Sequence, residues 1–402
     1  MNILCLSNLY PNQLNGIRGS FVRSQILNLA QMGCQIKVVS PVPLTPFPIG
    51  ILLRKWRNCH KVPARQADGG VEVFHPRYLL LPRNLLLKYA GWTYYLGTRR
   101  LVDRLYRDWG FGLIHAHTAY PDGYAAMIFS RIFKIPFTVT IHGRDLQDTV
   151  QRNAGCRKAV LEVLRSAAVV INVSQKLAGI CRAYVGENTS ITVVGNGIDL
   201  SELYTGQSPL RRAYGEKRII LSVGSLRRTK GHDLTLHAFK ALRQKFSRIR
   251  LLVIGGGDEG KKLQALAKAL EINDYVEFIP PQPHHKVMEY MSISDLFVLP
   301  SWSEGFGIVY LEAMAHGKPV IGVRGQGVED FVVNGENGLL VEPFDVEALT
   351  AAMTTLLKDD DFAGRLGKNA RATVLENYTW QDSARRLRDI YCSLLDGEVK
   401  DV

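Results

Sequence analysis

Glu304-Gly-Phe-Gly-Ile-Val-Tyr-Leu-Glu312 is the stretch that decides how the second half of this 402-residue chain folds. It follows an apolar run at residues 296–299, and this order predicts a buried strand, a tight turn and a helix. Its glycines permit the turn, and the first helical turn offers unpaired N–H groups to a phosphate. Its two glutamates can accept hydrogen bonds from hydroxyl groups at two ends of an extended ligand.

The same alternation of short apolar runs with helix-period segments extends over the rest of the chain. Strands are predicted at residues 3–6, 36–40, 113–116, 137–141 and 169–173, and again at 219–223, 251–254, 275–278, 296–299 and 320–323. Amphipathic segments predict helices, for example at residues 21–32, 233–245 and 261–270. Because alternating strands and helices predict a parallel sheet covered on both faces, and the pattern occurs twice, we predict two Rossmann-like, doubly wound α/β domains.

The domain boundary is predicted at residues 196–208, where glycine, aspartate, serine and proline suit a linker. We therefore expect an N-terminal domain at residues 1–200 and a C-terminal domain at 201–378. Residues 379–402 contain a basic, amphipathic helix that we expect to cross back to the N-terminal domain.

Cysteine usage and the apolar runs exclude several classes of protein. The six cysteines are scattered without a Cys-x-x-Cys pair, which argues against a disulfide framework or a zinc site and fits a reducing compartment. The first residues lack a basic leader, and no apolar run approaches the roughly 18 residues of a spanning helix. The sequence therefore predicts a cytoplasmic location.

The net charge of +13 belongs to the first half of the chain. Residues 1–200 carry +14 and residues 201–402 carry −1, which favours an anionic partner: nucleic acid, a membrane surface or a phosphorylated substrate. Residues 44–109 hold twelve Lys and Arg against four Asp and Glu, interleaved with aromatic residues and leucines. This composition suits an interfacial helix on anionic lipid. The alternative is a pair of ordinary helices with solvated basic faces.

At Glu304 and Glu312 the chain resembles the family-4 retaining glycosyltransferases, whose signature is Glu, seven residues, Glu. The resemblance covers almost the whole chain and implies a fold of the GT-B type, with two Rossmann-like domains facing a central cleft. It implies that Glu304 reaches the donor sugar and that Glu312 reaches the nucleotide ribose. Between them, Phe306, Gly307 and Ile308 are further expected donor contacts.

Residues 221–231 resemble the family's strand and diphosphate loop, and Lys230 occupies the position of the diphosphate-binding lysine. A fixed cation suits a leaving group that carries two negative charges. The arginine usual five residues earlier is Ser225 here. Arg227 is our candidate for its replacement, Arg228 is the alternative, and both could equally be surface residues.

Three further stretches of the second half are candidates for nucleotide or metal binding. Glu329 matches a family loop near the bound nucleotide. Gly255-Gly-Gly257 could be a nucleotide-binding loop or only a tight turn. Asp359-Asp-Asp361 resembles the metal-binding Asp-x-Asp of another glycosyltransferase class, but we interpret it as a solvated charge run. We therefore expect no metal and no cofactor.

In the first half, Gly16 and Gly19 lie between the first strand and the first helix, where the family usually has adjacent glycines that contact the diphosphate or the acceptor. Gly19 is the stronger candidate because it immediately precedes the helix. A simple loop is the alternative.

His117 and His142 end two predicted strands, where ligands sit in open parallel sheets. The string Thr140-Ile-His-Gly143 matches a family motif whose histidine faces the donor sugar, so His142 could bind a sugar hydroxyl or steady the acceptor. His117, Arg144 and Asp145 are candidate acceptor contacts. A satisfied core histidine is the alternative for both histidines.

Together, these expectations predict the retaining transfer of a sugar from a nucleoside diphosphate sugar to an acceptor hydroxyl. The expected catalytic residues are Glu304, His142 and Lys230. The acceptor is expected to be a saccharide or a lipid-linked saccharide in polysaccharide, lipopolysaccharide or glycolipid assembly, at the cytoplasmic face of the cell membrane. Alternatives are a nucleotide-sugar epimerase or phosphorylase on the same fold, or a nucleic-acid-binding protein. The last is disfavoured because no recognition module is visible.

Overall fold

The computed structural model of the chain describes residues 1–14, 16, 19–44, 58–80 and 87–397. Residues 45–57 and 81–86 of the basic segment, and residues 15, 17 and 18 of the loop before Gly19, lie outside the described residues. The chain divides into two compact domains: Met1–Asn196 together with the segment from Trp380, and Gly197–Thr379.

The first domain is built on a mostly parallel sheet with the order β10-β9-β8-β7-β1-β2-β5-β4 among the described residues. Its strands are β1 (Asn2–Leu6), β2 (Gln35–Val39), β3 (Val42–Pro43), β4 (Arg65–Asp68), β5 (Val71–Phe74), β6 (Arg77–Tyr78), β7 (Leu113–His117), β8 (Phe137–Ile141), β9 (Val169–Asn172) and β10 (Ile191–Val193). Among the described strands of this sheet, only the edge pair β4–β5 is antiparallel, and β3 pairs separately with β6. The central strands β7, β8 and β9 are buried throughout, as expected for a parallel sheet covered on both faces.

Helices connect these strands. They are α1 (Ser20–Gln31), α2 (Ala90–Trp109), α3 (Tyr124–Phe133), α4 (Val150–Arg152), α5 (Ala154–Ser166) and α6 (Gln175–Val185). Ser174 and Asn153 are N-caps that accept hydrogen bonds from the first turns of α6 and α5, which explains why those helices begin where they do.

The second domain is a wholly parallel Rossmann-like sheet with the order β13-β12-β11-β14-β15-β16. Its strands are β11 (Arg218–Val223), β12 (Ile249–Ile254), β13 (Val276–Ile279), β14 (Leu296–Val298), β15 (Val320–Val323) and β16 (Leu339–Val341). Its helices are α7 (Leu210–Tyr214), α8 (His232–Arg243), α9 (Gly260–Ala269), α10 (His284–Ile293), α11 (Ile308–Ala315), α12 (Val346–Lys358) and α13 (Asp360–Asn377). All ten predicted strands and all three predicted helices are present, shifted by a few residues at most.

The last helix, α14 (Trp380–Leu395), packs on the first domain. Its buried face joins the core formed by β1, β2 and α1. Two buried hydrogen bonds hold it there: Gln25 Nε2 donates to Ser383 Oγ at 3.1 Å, and the hydroxyl of Tyr391 lies 2.6 Å from Nδ1 of His115. Among the described residues, no helix combines the length and the apolar character needed to cross a bilayer.

Strand order defines one switch point in each domain. In the second domain, β12 and β13 lie on one side of β11. The chain then crosses to the other side of β11, where β14, β15 and β16 follow in order. In the first domain, the switch point lies between β1 and β7, because β2 lies on the far side of β1 and β8 lies on the far side of β7. At such a point the loops after the two strands separate and leave a crevice at the carboxyl edge, where ligands of open α/β sheets bind.

Candidate functional site

Lys230 and Glu304 meet at the switch point of the second domain. Lys230 lies in the loop after β11 and Glu304 in the loop after β14. The ammonium group of Lys230 donates to Glu304 Oε2 at 2.5 Å, and the two side chains are 20% and 13% exposed. The two residues predicted to hold the diphosphate and the donor sugar are therefore brought together as a partly buried, charge-assisted pair.

Close backbone packing holds the two loops against each other. Gly231 has a φ of +71°, and a Cβ added there would lie 2.3 Å from the carbonyl oxygen of Pro300, so glycine is required. The amide of Trp302 donates to the carbonyl of Thr229 at 3.1 Å. The backbones of the Lys230 loop and the Glu304 loop are therefore held against each other.

A second glycine contact fixes the far side of the Glu304 loop. A Cβ on Gly327 would lie 2.3 Å from the carbonyl oxygen of Gly305. Beside it, Gln326 Oε1 accepts a hydrogen bond from the amide of Glu304 at 3.1 Å. Sequence reasoning did not identify Gln326, because nothing local marks a glutamine that lies 22 positions from its partner.

The residues between the two glutamates differ in whether their backbone or their side chain can reach a ligand. Gly307 has a φ of +102° and precedes the first turn of α11, so its expected role as a turn glycine at a helix N-terminus fits. The ring of Phe306 is buried and contacts the rings of Phe331 and Tyr378. Its side chain therefore builds the core beneath the loop, and only its backbone remains for the donor contact we expected. Ile308 is half-buried at the start of α11.

Glu312 is held by a histidine that sequence reasoning missed. His284 Nε2 lies 2.8 Å from Glu312 Oε1, and Nδ1 of the same ring lies 2.9 Å from Glu202 Oε2. The hydrogen bond to Glu312, together with the charges of both carboxylates, raises the pKa of His284. A charged His284 donates from both ring nitrogens, fixes one oxygen of Glu312 and leaves the other for a ligand.

His232 follows the Lys230 loop and lies underneath it. The ring is buried, and its Nδ1 lies 3.1 Å from the hydroxyl of Ser222. Burial, reinforced by the nearby charge of Lys230, lowers the pKa of His232 to about 4. The ring is therefore neutral near pH 7 and adds no charge beneath the loop.

The other expected donor residues lie on the surface of the second domain. Arg227, Arg228 and Ser225 are all exposed, so the structure does not favour either arginine as the replacement for the family residue. Glu329 is also exposed, and its Oε2 accepts a hydrogen bond from the amide of Gly325 at 2.8 Å. This bond closes the loop after β15.

The remaining two motifs of the second domain have structural explanations. A Cβ on Gly255 would lie 1.9 Å from the carbonyl oxygen of Gly224, so this glycine allows the loops after β12 and β11 to touch. Asp359 caps α13 by accepting from the amide of Phe362 at 2.8 Å, and Asp360 pairs with Arg218. The acidic run therefore begins α13, and its three aspartates are exposed, as expected for a solvated charge run. Within the described ranges, no cluster of three or more His, Cys, Asp or Glu side chains could hold a metal ion.

In the first domain, Gly19 lies at the corresponding switch point. Its φ is +76°, and a Cβ there would lie 1.8 Å from the carbonyl oxygen of Leu9, so glycine is required for the chain to enter α1. Gly16 is exposed with open space around it. The geometry supports a fixed turn at Gly19 and gives Gly16 no comparable constraint.

A buried carboxylate joins the two loops of this switch point. Asp122 Oδ1 accepts from the amide of Asn8 at 2.7 Å, and Oδ2 accepts from the hydroxyl of Thr118 at 2.6 Å. Burial raises the pKa of Asp122 to about 7. Sequence reasoning did not identify this residue, because its partners lie after two strands that are far apart in the chain.

His117 and His142 form a pair at the carboxyl ends of β7 and β8. Nδ1 of His117 lies 3.2 Å from Nε2 of His142, and the ring of His142 also packs against Phe21. His117 is buried while His142 is half-buried, and burial lowers the pKa of His142 to about 3. Both rings are therefore neutral near pH 7. His142 is the member of the pair with access to a ligand, and His117 lies behind it.

Asp145 and Arg144 differ sharply in exposure. Asp145 is 2% exposed, and its Oδ1 accepts from the amide of Ala119 at 2.9 Å. It braces the loop after β7 from inside and does not present a carboxylate to an acceptor. The side chain of Arg144 is exposed and pairs with Asp148 at 3.2 Å. Of the three expected acceptor contacts, His117 and Asp145 are buried and only Arg144 is accessible on the surface.

Two Rossmann-like domains, one of which carries a cation and a carboxylate on glycine-constrained loops at its switch point, are what the resemblance to glycosyltransferases of the GT-B type predicts. Comparison with known families agrees. The model described as Glycosyltransferase Family 4 matches residues 19–202, and the model described as Glycosyl transferases group 1 matches residues 208–373. The chain therefore belongs to the family-4, group 1 glycosyltransferases, and it is an enzyme of the transferase class.

Individual proteins show the same relationship. TuaC of Bacillus subtilis, a glycosyltransferase assigned to teichuronic acid biosynthesis, is 29% identical over 405 residues, which cover 99% of this chain and 100% of TuaC. The GDP-mannose-dependent alpha-(1-6)-phosphatidylinositol monomannoside mannosyltransferase of Mycolicibacterium smegmatis is 25% identical, over 84% of this chain and 88% of that protein. The solved structure of sucrose-phosphate synthase from Thermosynechococcus elongatus superposes with a TM-score of 0.81 at 22% identity, covering 99% and 100% of the two chains. The last similarity concerns the fold alone, and it confirms the predicted fold class.

Proposed function

We propose that this glycosyltransferase moves a sugar from a nucleoside diphosphate sugar to an acceptor hydroxyl with retention of anomeric configuration. The observation that carries the proposal is the Lys230–Glu304 pair at the switch point of the second domain. The cation suits a diphosphate, and the carboxylate suits the hydroxyl groups of the sugar attached to it. Retention follows from the family signature rather than from any nucleophile placed beside the pair.

In the proposed reaction, the C1–O bond to the diphosphate breaks, and a C1–O bond to the acceptor forms on the same face of the sugar. The acceptor proton moves to an oxygen of the departing phosphate. Lys230 and the first-turn N–H groups of α11 stabilise the charge that develops on the diphosphate. Glu304 positions the sugar, and the neutral ring of His142 can exchange a hydrogen bond with a sugar or acceptor hydroxyl without adding charge.

Nucleotide binding is the direct test of this proposal. In a thermal-shift panel of UDP, GDP, ADP, CDP and TDP with EDTA present, we expect one diphosphate to raise the melting temperature by about 3 °C, because it binds only the folded state. The corresponding nucleoside serves as the control for the contribution of the diphosphate. If none of the five shifts the transition, either with EDTA or in a second panel with Mg²⁺ or Mn²⁺, the donor assignment is wrong. A shift that requires Mg²⁺ or Mn²⁺ would contradict the proposed metal-free site.

The acceptor is proposed to be a saccharide or a lipid-linked saccharide in polysaccharide, lipopolysaccharide or glycolipid assembly at the cytoplasmic face of the membrane. Support comes from the names of the two relatives and from one face of α2. Trp92 and Leu96 are 49% and 42% exposed, one helical turn apart, and Arg99 and Arg100 follow on the next turn. Apolar and basic side chains on one helix face suit the headgroup region of an anionic bilayer.

Liposome flotation tests this surface. We expect the protein to float with phosphatidylglycerol vesicles at low salt, to remain below with phosphatidylcholine vesicles, and to be released at high salt, where charge is screened. The double variant Trp92→Ala/Leu96→Ser should weaken binding by about tenfold or more because it removes buried apolar area. Leu375→Ser, at a 40% exposed leucine of the second domain, is the matched control. Equal flotation of all three proteins, or none at low salt, would remove the membrane assignment.

A further inference from the structure

Two histidines connect one segment of the second domain to helix α11. The segment runs from Glu202 to Tyr204, shortly after the domain boundary at residue 197. Glu202 contacts the ring of His284, which also reaches Glu312 on α11. The amide of Tyr204 contacts the ring of His316, the residue that follows α11. Both histidines therefore lie between this segment and the helix that carries Glu312.

The partners of His316 require a neutral ring. Its Nδ1 lies 2.7 Å from the carbonyl oxygen of Glu312, which can only accept a hydrogen bond. Its Nε2 lies 3.2 Å from the amide of Tyr204, which can only donate one. One ring nitrogen must therefore carry a proton while the other does not. Burial acts in the same direction, because it lowers the pKa of His316.

The partners of His284 require a charged ring. Its Nε2 lies 2.8 Å from Glu312 Oε1 and its Nδ1 lies 2.9 Å from Glu202 Oε2, so both nitrogens face carboxylates. A neutral imidazole has one N–H and can donate to only one of them, whereas the imidazolium donates to both. The hydrogen bond to Glu312 is the largest cause of the raised pKa of His284, and the charges of both carboxylates add to it against the effect of burial.

Other titratable neighbours add little charge around His284. His316 faces it from the end of α11 and is neutral. On the same helix as His284, the ammonium group of Lys286 is paired with Glu289 at 2.8 Å, and His285 is exposed. Glu202 and Glu312 therefore set the protonation state of His284.

The three side chains of this bridge differ in exposure. Those of His284 and Glu202 are 47% and 55% exposed, whereas that of Glu312 is 14% exposed. Ion pairs at such exposed positions add little to stability. They can still fix orientation: Glu202 holds Nδ1, the ring then directs Nε2 at Glu312, and Oε2 of Glu312 is the oxygen left for a ligand.

We infer that His284 is a positioning residue for Glu312. As a cation held by Glu202, it turns the carboxylate of Glu312 toward the ribose of the donor, so recognition of the ribose weakens when His284 loses its proton. This role rests on the proposed function, in which the ligand is a nucleoside diphosphate sugar whose ribose Glu312 is expected to reach.

Ribose recognition can be measured by isothermal titration with two ligands, the nucleoside diphosphate identified by the thermal-shift panel and its 2′,3′-dideoxy analogue. Both carry the same diphosphate, so its own titration cancels from the ratio of their dissociation constants. We expect the wild type to prefer the hydroxylated ligand by about tenfold or more near pH 6. Between about pH 6 and pH 9 this preference should fall at least about threefold, because a neutral hydrogen bond replaces a charge-assisted one.

The sign of the change follows from the direction of the pKa shift. Since the pKa of His284 is raised, the charged ring and the ribose preference are present below that pKa and are lost as the pH rises through it. Glu202→Gln removes one of the charges that raise the pKa, so the fall in preference should move to lower pH.

Two substitutions separate the contacts of the ring. His284→Gln places an amide near the position of Nε2 and can still donate to Glu312, so its preference should be intermediate and constant with pH. His284→Asn places an amide near Nδ1 and reaches only Glu202, so its preference should be at least about fivefold below that of the wild type near pH 6. His285→Asn, at the adjacent exposed histidine, is the matched control and should follow the wild-type profile.

Three results would overturn the role of His284: a wild-type preference that is constant with pH, equal preferences in His284→Gln and His284→Asn, or the same loss in His285→Asn. A purely structural role would lower the melting temperature of the variants and leave the ratio unchanged.

The imidazole ¹⁵N shifts of His284, titrated in the protein without nucleotide, separate this inference from the proposed function. They should report a pKa above the usual value of about 6.5, which falls in Glu202→Gln. Such a pKa in a protein that binds no diphosphate would refute the proposed function, and the ribose role with it, while the charged bridge stands. An ordinary pKa in a protein that does bind the diphosphate would overturn this inference alone.

Discussion

Replacing Glu304 by Gln is expected to lower kcat/KM for sugar transfer by about 100-fold or more, which is the usual cost of losing one preorganised electrostatic contact. Gln has nearly the same shape and can still accept a hydrogen bond from Lys230, which now lies 2.5 Å from the carboxylate. The lost charge, however, weakens the hold on both the sugar hydroxyls and the lysine. The free energy of unfolding should therefore change by only about 1 kcal/mol.

The measurement is initial-rate transfer with the nucleotide sugar identified by the thermal-shift panel, alongside the melting temperature of each protein. Glu216→Gln is the matched control, because Glu216 also forms an ion pair, with Arg248 at 2.7 Å, but is exposed. Wild-type turnover in Glu304→Gln would contradict the assignment of Glu304 to the donor site. A collapse of the melting temperature would indicate instead that the pair is mainly structural.

Replacing Lys230 by Met is expected to reduce kcat by about 100-fold or more and to weaken binding of the nucleoside diphosphate. The variant removes the fixed cation and takes this ion pair away from Glu304, whose side chain is only 13% exposed. Both effects make it harder for a dianionic group to sit at the switch point. Binding of the corresponding nucleoside, which carries no phosphate, should change little.

Isothermal titration with the nucleoside and its diphosphate separates these contributions. Lys240→Met is the control, because Lys240 also forms an ion pair, with Glu271 at 3.5 Å, but lies in helix α8 and not in the loop after β11. In a double-mutant cycle, Lys230→Met and Glu304→Gln should be strongly non-additive, since the two residues act as one unit. Additive losses, or equal weakening of nucleoside and diphosphate, would contradict the shared site.

The positions of Lys230, Glu304 and Glu312 could be predicted from the sequence because each lies in a local pattern of strand, glycine-containing turn and helix. Local patterns specify where a strand ends and a helix begins, and parallel sheets then bring their carboxyl ends to one edge. Roles assigned to a side chain by motif alone were less secure. The ring of Phe306 and the carboxylate of Asp145 are both buried, although both were expected to contact ligands.

The partners of the site residues could not be predicted, because each lies far away in the chain. His284 reaches Glu312 across 28 positions and Gln326 reaches Glu304 across 22. Asp122 joins loops 114 positions apart, and only the strand order places them together.

The sequence by itself therefore determined the class of fold, since short-range periodicity and glycine spacing specify local structure, and the family resemblance supplied the candidate residues of the proposed donor site. The tertiary structure alone decided which of those side chains are buried and which partners hold them in place. The reason is physical: burial and pairing depend on contacts between segments that the chain keeps far apart, and the order of strands in the sheet, which local patterns do not encode, brings them together.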